Sequence, residues 1–267
     1  SFPGDTFGGS DGNELTDPTF PQVRAIDAFD AFDPAIPQSI VAGVTASQIL
    51  PGSGNVMGGQ ALAVKYIGRT GNDMAITPAP VALKMACGEN PKRVYGQDLK
   101  QTPGSRMGIG WEMRKLLTAA TKLRDDKLDF CNNAKSTGRM PTDLALDNLV
   151  DLLQGRAVLN IHCYKVVDLE MAIRVTKEFN ISIAAFHHAI EAWRVPKELA
   201  ENKIAVALFA DLFGYKSEAY YASVHAPRTL NAAGVDVVMK TDHPVIAQRD
   251  LLFQAQKAAF WGLESNA

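Results

Sequence analysis

The sequence has few of the features that mark several classes of protein. Its three cysteines, Cys87, Cys131 and Cys163, are far apart and odd in number, which predicts neither a disulfide framework nor a CxxC metal site. No apolar run approaches the roughly 18–20 residues that a bilayer-spanning helix needs. The chain begins without a signal-like apolar segment. We therefore expect a soluble chain, and its cellular location stays open.

Charge of one sign is also absent. Lysine and arginine total 27 and aspartate and glutamate total 29, so the formal charge of the 267 residues is −2. A nucleic-acid-binding protein recognised by charge would carry a basic patch, so we expect no nucleic acid partner. The chain is 46% hydrophobic, which is typical of a globular protein and excludes disorder.

The second half of the chain has a regular pattern of strands and helices. Continuous apolar strands, each followed by a helix of ordinary length, are typical of a parallel sheet that is buried on both faces. The pattern predicts four βα units: strand Ala157–Cys163 with helix Asp168–Phe179, Ile181–His188 with Val195–Asn202, Ile204–Ala210 with Ser217–Ala233, and Val235–Asp242 with Ile246–Trp261.

The first half extends this series with weaker signals. It predicts strands Val44–Leu50, Ala61–Ile67 and Val81–Cys87, a turn-rich loop over 51–59, and helices over 107–138 and Thr142–Leu153. The fold class is therefore α/β, and a (β/α)8 barrel of the TIM type is the first choice. A doubly wound open sheet is the alternative. No GxGxxG follows a strand, which disfavours the dinucleotide-binding version of that sheet.

The histidines fall at the ends of predicted strands. His162 ends one strand, the pair His187-His188 ends the next, and Asp242 with His243 ends the last. In a parallel βα barrel the carboxyl ends of the strands build the active site, so these side chains should meet at one rim. Because side chains alternate along a strand, only one of His187 and His188 should face the site, and spacing does not choose between them.

Two imidazoles and a carboxylate are a suitable set of ligands for a divalent metal. Such an ion lowers the pKa of a water ligand from 15.7 towards roughly 7 and so supplies hydroxide at neutral pH. A nearby carboxylate can take the proton of that water and pass it to a leaving amine. The opposing interpretation is structural, since a single histidine at a strand end is commonly satisfied by its neighbours.

Several segments resemble one enzyme family. LNIHCYK (159–165), FHHAIEAW (186–193) and AGVDVVMKTDHPV (233–245) are similar to strands five, six and eight of the amidohydrolase superfamily. AGVTASQILPGSGNVMGG (42–59) and ALKMACGENPKR (82–93) resemble the imidazolonepropionase-like branch, including fungal-type proteins sometimes labelled carbohydrate esterase family 9.

The resemblance implies roles for individual residues. It makes His162, His188 and Asp242 metal ligands, with Asp242 also the catalytic general base, and Lys84 a further ligand. The metal would be zinc, as one or two ions, and the substrate a small-molecule amide. A deacetylase acting on an amino sugar is a variant of this chemistry. Substrate contacts are expected from these residues: Asn55, Glu89, Asn90 and Lys240.

The chain departs from the family in one respect. The superfamily places a His-x-His motif at the end of strand one, and this sequence has none. The resemblance thus predicts one domain over 1–267, an incomplete barrel without strand one and without the flanking β-sandwich. Its function would be hydrolysis of a C–N bond by metal-activated water. The alternative is a non-catalytic barrel fragment that serves as a binding or assembly unit. Exposed sheet edges would favour a homo-oligomer.

Overall fold

A computed structural model describes residues 11–133, 138–211 and 214–264 of the chain. Its central feature is a six-stranded sheet with the order β2-β4-β5-β6-β7-β8, and a separate two-stranded sheet joins β1 and β3. The strands are β1 (Ala46–Ile49), β2 (Met57–Gln60), β3 (Leu62–Lys65), β4 (Val81–Ala86), β5 (Ala157–Cys163), β6 (Ile183–His188), β7 (Ala205–Leu208) and β8 (Val237–Met239).

Helices follow most strands of the large sheet. A π-helix, Lys92–Asp98, extends the short helix after β4, and single 3-10 turns occupy Ala25–Ala28, Ala192–Arg194, Ser217–Ala219 and Gln248–Asp250. The α-helices are α1 (Ala35–Val41), α2 (Gly71–Met74), α3 (Glu89–Pro91), α4 (Arg106–Asn132), α5 (Asp147–Leu153), α6 (Val166–Glu178), α7 (Pro196–Glu201), α8 (Ala226–Ala232) and α9 (Leu251–Phe260).

The two faces of the large sheet differ in chemistry. Leu83, Met85, Leu159 and Ile161 point to one face, where they pack with the apolar residues of α4, α5 and α6 in the main core. Alternation along β4 and β5 sends Lys84, Asn160 and His162 to the other face, and all three are buried. The sheet therefore carries its polar groups on the face away from those helices.

The predicted α/β class is confirmed, with β4 to β8 parallel in chain order. A closed barrel is not found among the residues that the structure describes, because β2 and β8 end the sheet.

The sequence did not predict strand β2, since its Met-Gly-Gly-Gln sequence lies in the segment predicted as loop. It pairs antiparallel with β4. Its glycines are tolerated at an edge where the chain approaches closely: a Cβ on Gly59 would lie 2.3 Å from the Val23 carbonyl oxygen.

Two helices begin later than the sequence predicts. A turn built on Asp143, whose Oδ1 accepts from the Ala145 amide, precedes α5, so Thr142 is not its N-cap. The helix expected over Ser217–Ala233 is split into a 3-10 turn and α8. Pro227 explains the split, because a proline fits the first turn of a helix and breaks its interior.

The cysteines also differ from the expectation. Cys87 follows β4 and Cys163 ends β5, and their Cα atoms are 5.2 Å apart with the sulfur atoms bonded. The parallel pairing of β4 with β5 brings them together, which their sequence separation of 76 residues does not reveal. Cys131 is free and exposed.

Within the described ranges, no helix combines the length and the apolar character that crossing a membrane requires.

Candidate active site

Two imidazoles form the centre of the site. His162 near the end of β5 and His188 at the end of β6 have ring centroids 4.4 Å apart, and both side chains are buried. The backbone of His188 has a φ of +64°, in the left-handed region that non-glycine residues seldom adopt. This turn breaks the side-chain alternation of β6 and brings His188 against His162.

His187 belongs to the same polar face but has a different partner. It stands opposite His162 in the strand register, and its Nε2 lies 2.9 Å from Asn160 Oδ1. The expectation that only one of the two neighbouring histidines reaches this face is therefore wrong, because it assumed an extended backbone through His188.

Asp242 also contacts His188. It follows β8, also has a positive φ of +59°, and places Oδ2 3.7 Å from His188 Nε2. Lys240 lies between the two: its Nζ is 3.5 Å from His188 Nε2 and 3.4 Å from Asp242 Oδ1. Three separate strand ends thus bring an imidazole pair, a carboxylate and an ammonium into contact.

The surroundings decide the protonation of these groups. Burial, followed by nearby cations, lowers the pKa of His162, His187 and His188 well below 6.5. The imidazoles are therefore neutral at neutral pH and keep a lone pair for a ligand. Burial raises the pKa of Asp242, but Lys240 and Lys84 outweigh burial, and the carboxyl pKa ends below 3.8.

Lys84 lies on the same polar face, in the middle of β4. Its side chain is buried, and Nζ donates to the Pro51 carbonyl oxygen at 3.0 Å. Burial and then repulsion from Lys240 lower its pKa to about 8, while Asp242 raises it. The ammonium therefore loses its proton far more easily than an ordinary lysine.

The loop after β4 borders the imidazole pair. Asn90 Nδ2 lies 3.4 Å from His162 Nε2 and donates to Ser53 Oγ at 2.6 Å. The backbone amide of Glu89 donates to Glu218 Oε2 at 2.9 Å. Oε1 of the Glu89 side chain is buried without a partner among the described residues. Of the two predicted substrate contacts in this loop, Asn90 therefore lies beside the imidazoles, and Glu89 is fixed to Glu218 through its backbone.

Asn55 lies in a different environment. Its Oδ1 accepts from Asn13 at 2.8 Å, and its Nδ2 contacts the Asp17 carbonyl oxygen and the Tyr95 hydroxyl, each at 2.9 Å. These bonds fix the segment before β1 to the π-helix. A substrate contact by Asn55 stays a prediction.

Sequence reasoning missed four side chains beside the imidazoles. The Tyr164 ring centroid lies 4.7 Å from that of His162, Phe209 lies 5.7 Å from His188, and Tyr215 packs next to Phe209. Lys216 Nζ lies 3.2 Å from Asn90 Oδ1. Tyr164 was detectable, two residues after a strand-end histidine, but 215–216 lie in a loop without a pattern.

Three ring nitrogens of the site lack hydrogen-bond partners. Nδ1 of His162, of His187 and of His188 is buried and has no partner among the described residues. Such unpaired buried atoms are uncommon and are explained by an ion or water. Across those same residues, no three histidine, cysteine or acidic side chains converge as a preassembled metal site.

His225 and His243 lie outside this group. His225 stacks on Trp261 beside α9, and His243 Nδ1 accepts from the Gln248 amide.

Fold and site together define an α/β protein whose polar centre lies at the carboxyl ends of parallel strands, where α/β enzymes bind their substrates. No family model matches the sequence. The chain is 35% identical to amidohydrolase tasK of Hapsidospora irregularis over 97% of its own length, but it spans only 28% of that relative. It also resembles the crystal structure of an amidohydrolase from Thermotoga maritima MSB8, with a TM-score of 0.92 and 34% identity, covering 98% of this chain and 67% of that one. The chain belongs to the amidohydrolase family.

Proposed function

We propose that the chain carries the active centre of a metal-dependent hydrolase that cleaves a C–N bond in an amide or cyclic amide. One observation carries the proposal: His162, His188 and Asp242, from three strand ends, meet in a chain of the amidohydrolase family. The family name of both relatives supports an enzyme acting on C–N bonds.

The chemistry of the donor groups suits a divalent metal, although the donors do not converge on one point in the described residues. His162 and His188 are neutral, buried and each have an unpaired Nδ1, and Asp242 is an anion beside them. Lys84 would be a further ligand once its easily lost proton has left. Zinc suits this set of nitrogen and oxygen donors, and the proposal covers one or two ions. When bound, the metal would supply an activated water and polarise the scissile carbonyl.

The other side chains of the site bind and orient the substrate or move protons. Asp242 stays ionised, so it can accept a proton from water and return it to the leaving amine. Lys240 holds the Asp242 carboxylate in place through its 3.4 Å contact. Asn90 borders His162 from the loop after β4, and Glu89 precedes it with a buried, unpaired Oε1; both would contact the substrate. The aromatic side chains of Tyr164 and Phe209 limit access of bulk water to the imidazoles.

A (β/α)8 barrel is part of this proposal, with the sheet left open between β2 and β8 in the described residues. Its support is the TM-score of 0.92 to a solved structure of which this chain covers 67%. A non-catalytic barrel unit is the second candidate. It is favoured by the lack of a His-x-His motif and by the lack of three converging ligands within the described ranges.

The proposal is tested by amide hydrolysis with purified chain. Release of free amine from a panel of N-acyl amino acids and N-acyl amino sugars is measured with zinc and with a chelator. We expect metal-dependent turnover that falls about 100-fold or more in Asp242→Asn, the scale of general acid-base catalysis. The control is Asp236→Asn, at an exposed carboxylate before β8. Equal turnover in Asp242→Asn, or turnover that the chelator leaves unchanged, would contradict the proposal.

A further inference from the structure

We propose that Lys216 binds a carboxylate of the substrate, so that the enzyme acts on amides that carry a carboxylate near the scissile bond. This inference rests on the proposed function and names its substrate class. No sequence pattern points to a role for Lys216.

The contacts of Lys216 are all with neutral groups. Its Nζ donates to Asn90 Oδ1 at 3.2 Å and lies 3.4 Å from the Tyr164 hydroxyl. The ammonium also lies 5.3 Å from the Tyr164 ring centroid and 5.6 Å from that of Tyr215. Among the residues that the structure describes, no carboxylate oxygen lies within the 4.0 Å of an ion pair with it. The carboxylates of Glu89, Asp242 and Glu218 act on Lys216 electrostatically from beyond that distance. A half-buried ammonium that makes no ion pair keeps its N–H donors for an anionic ligand.

Lys216 lies one side chain away from the imidazole pair. Asn90 bridges the gap, because its Oδ1 accepts from Lys216 and its Nδ2 contacts His162. The Tyr164 ring packs on both imidazoles and reaches Lys216 with its hydroxyl. A small amide can therefore place its carbonyl at His162 and its carboxylate at Lys216.

The other two ammonium groups of the site are already engaged. Lys240 contacts Asp242, and Lys84 is buried against the Pro51 carbonyl oxygen. Lys84 is buried, whereas Lys216 and Lys240 are each partly exposed, and of these two Lys216 is the one that makes no ion pair among the described residues. Tyr164 and Tyr215, whose hydroxyl groups lie 2.6 Å apart, offer a further donor next to it.

A buried ion cluster holds Lys216 in this position. Glu218, two residues further along the chain, accepts from the Glu89 amide and pairs with Arg106. Arg106 in turn binds Asp168 at the start of α6 through Nε at 2.9 Å and Nη2 at 3.0 Å. The loop that carries Lys216 is thereby fixed to the loop that carries Asn90, so the cation is preorganised.

The test measures binding without catalysis. Titration calorimetry in the presence of a chelator compares N-acetylglycine with N-acetylglycinamide, which has the same shape without the charge. We expect wild type to bind the carboxylate about tenfold or more tightly than the amide, the scale of one charge-assisted hydrogen bond. Lys216→Met should lose this preference, and Lys216→Arg should keep most of it. Lys197→Met, at an exposed lysine of α7, is the matched control.

The outcomes separate this inference from the proposed function. Equal binding of the two probes by wild type, an unchanged preference in Lys216→Met, or no binding of N-acetylglycine up to its solubility limit would overturn it. Circular dichroism of each variant checks that it folds. If Lys216→Met does not fold, the test rests on Lys216→Arg, which keeps the positive charge. Because the chelator removes metal, a failure of the hydrolase proposal leaves this result unaffected.

Discussion

At the scale of residues, backbone strain marks the site. His188 and Asp242 both have a positive φ, at +64° and +59°, and each costs of the order of 1–3 kcal/mol in a non-glycine residue. Strained residues of this kind cluster where a side chain must be aimed for function. These two are aimed at each other, since His188 Nε2 and Asp242 Oδ2 lie 3.7 Å apart.

Lys84 should make the stability of the metal-free protein depend on pH. Its pKa is about 8 in the folded chain, against 10.5 when unperturbed, with burial as the main cause. Between these values the unfolded chain binds more protons, so stability rises with pH. Below pH 8, Lys84 is protonated in both the folded and the unfolded chain. Burial of its charge then lowers the free energy of unfolding by about 3 kcal/mol.

Urea unfolding in the presence of a chelator measures this effect. We expect Lys84→Met to be more stable than wild type at pH 7, with a difference that shrinks as the pH rises from 8 towards 10.5. Lys197→Met, at an exposed lysine, should follow the wild-type curve. A difference between Lys84→Met and wild type that is constant across this pH range would contradict the assignment.

The sequence predicts some site residues and misses others for a physical reason. His162, His188 and Asp242 follow apolar strands, so the ends of the strands locate them. Lys216 and Tyr215 lie in a loop without hydrophobic periodicity, and long-range contacts alone bring them to the site. The left-handed turn at His188 and Ala189, with φ of +64° and +43°, also has no sequence signal, because neither residue is a glycine or an asparagine.

At the scale of elements, one ion cluster joins α4, α6 and the Ser217–Ala219 turn. Arg106 is the only cation that contacts both Asp168 and Glu218 among the described residues, and both carboxylates are buried. Gly88 is needed beside this cluster. Its φ is +81°, and a Cβ there would lie 2.5 Å from Glu218 Oε2.

Removal of Arg106 should destabilise the fold strongly. Arg106→Ala leaves two buried carboxylates without their cation, which should lower the free energy of unfolding by about 3–5 kcal/mol. Arg114→Ala is the matched control on the same helix, since the Arg114–Glu178 pair is about half exposed, with side-chain exposures of 40% and 45%, and should cost at most about 1 kcal/mol. Chemical denaturation measures both. Similar losses in the two variants would show that the cluster is no stronger than a surface pair.

The boundaries of helices were harder to predict than those of central strands. β5 agrees with its predicted range residue for residue, because both of its faces are buried and five of its seven residues are apolar. α5 and α8 were predicted to begin too early, because a turn built on Asp143 precedes α5 and Pro227 fits only the first turn of α8.

At the scale of the whole molecule, apolar surface lies near the open end of the sheet. β8 is an edge strand, and Phe253 and Phe260 of α9, which are 58% and 80% exposed, line an open cavity of about 790 Å³. Residues seven apart share one face of a helix, so the two rings form one patch. A sheet edge next to an apolar patch favours association.

We therefore expect the chain to self-associate. Sedimentation velocity over a concentration series should detect species larger than the 28.9 kDa chain. The double variant Phe253→Glu with Phe260→Glu should shift this equilibrium to the monomer. Phe32→Glu, at a phenylalanine that is 78% exposed, is the control and should leave the equilibrium unchanged. A wild-type chain that stays monomeric at every concentration would contradict the expectation.

The most direct test of the account is the metal content of the chain after zinc loading and dialysis. Elemental analysis compares wild type, His162→Ala with His188→Ala, and the control His225→Ala, whose ring stacks on Trp261 away from the site. The account predicts about one or two ions per chain in wild type and in the control, and a loss of metal in the double variant. No metal in wild type, or full metal content in the double variant, would show that the two strand-end histidines do not form a metal centre.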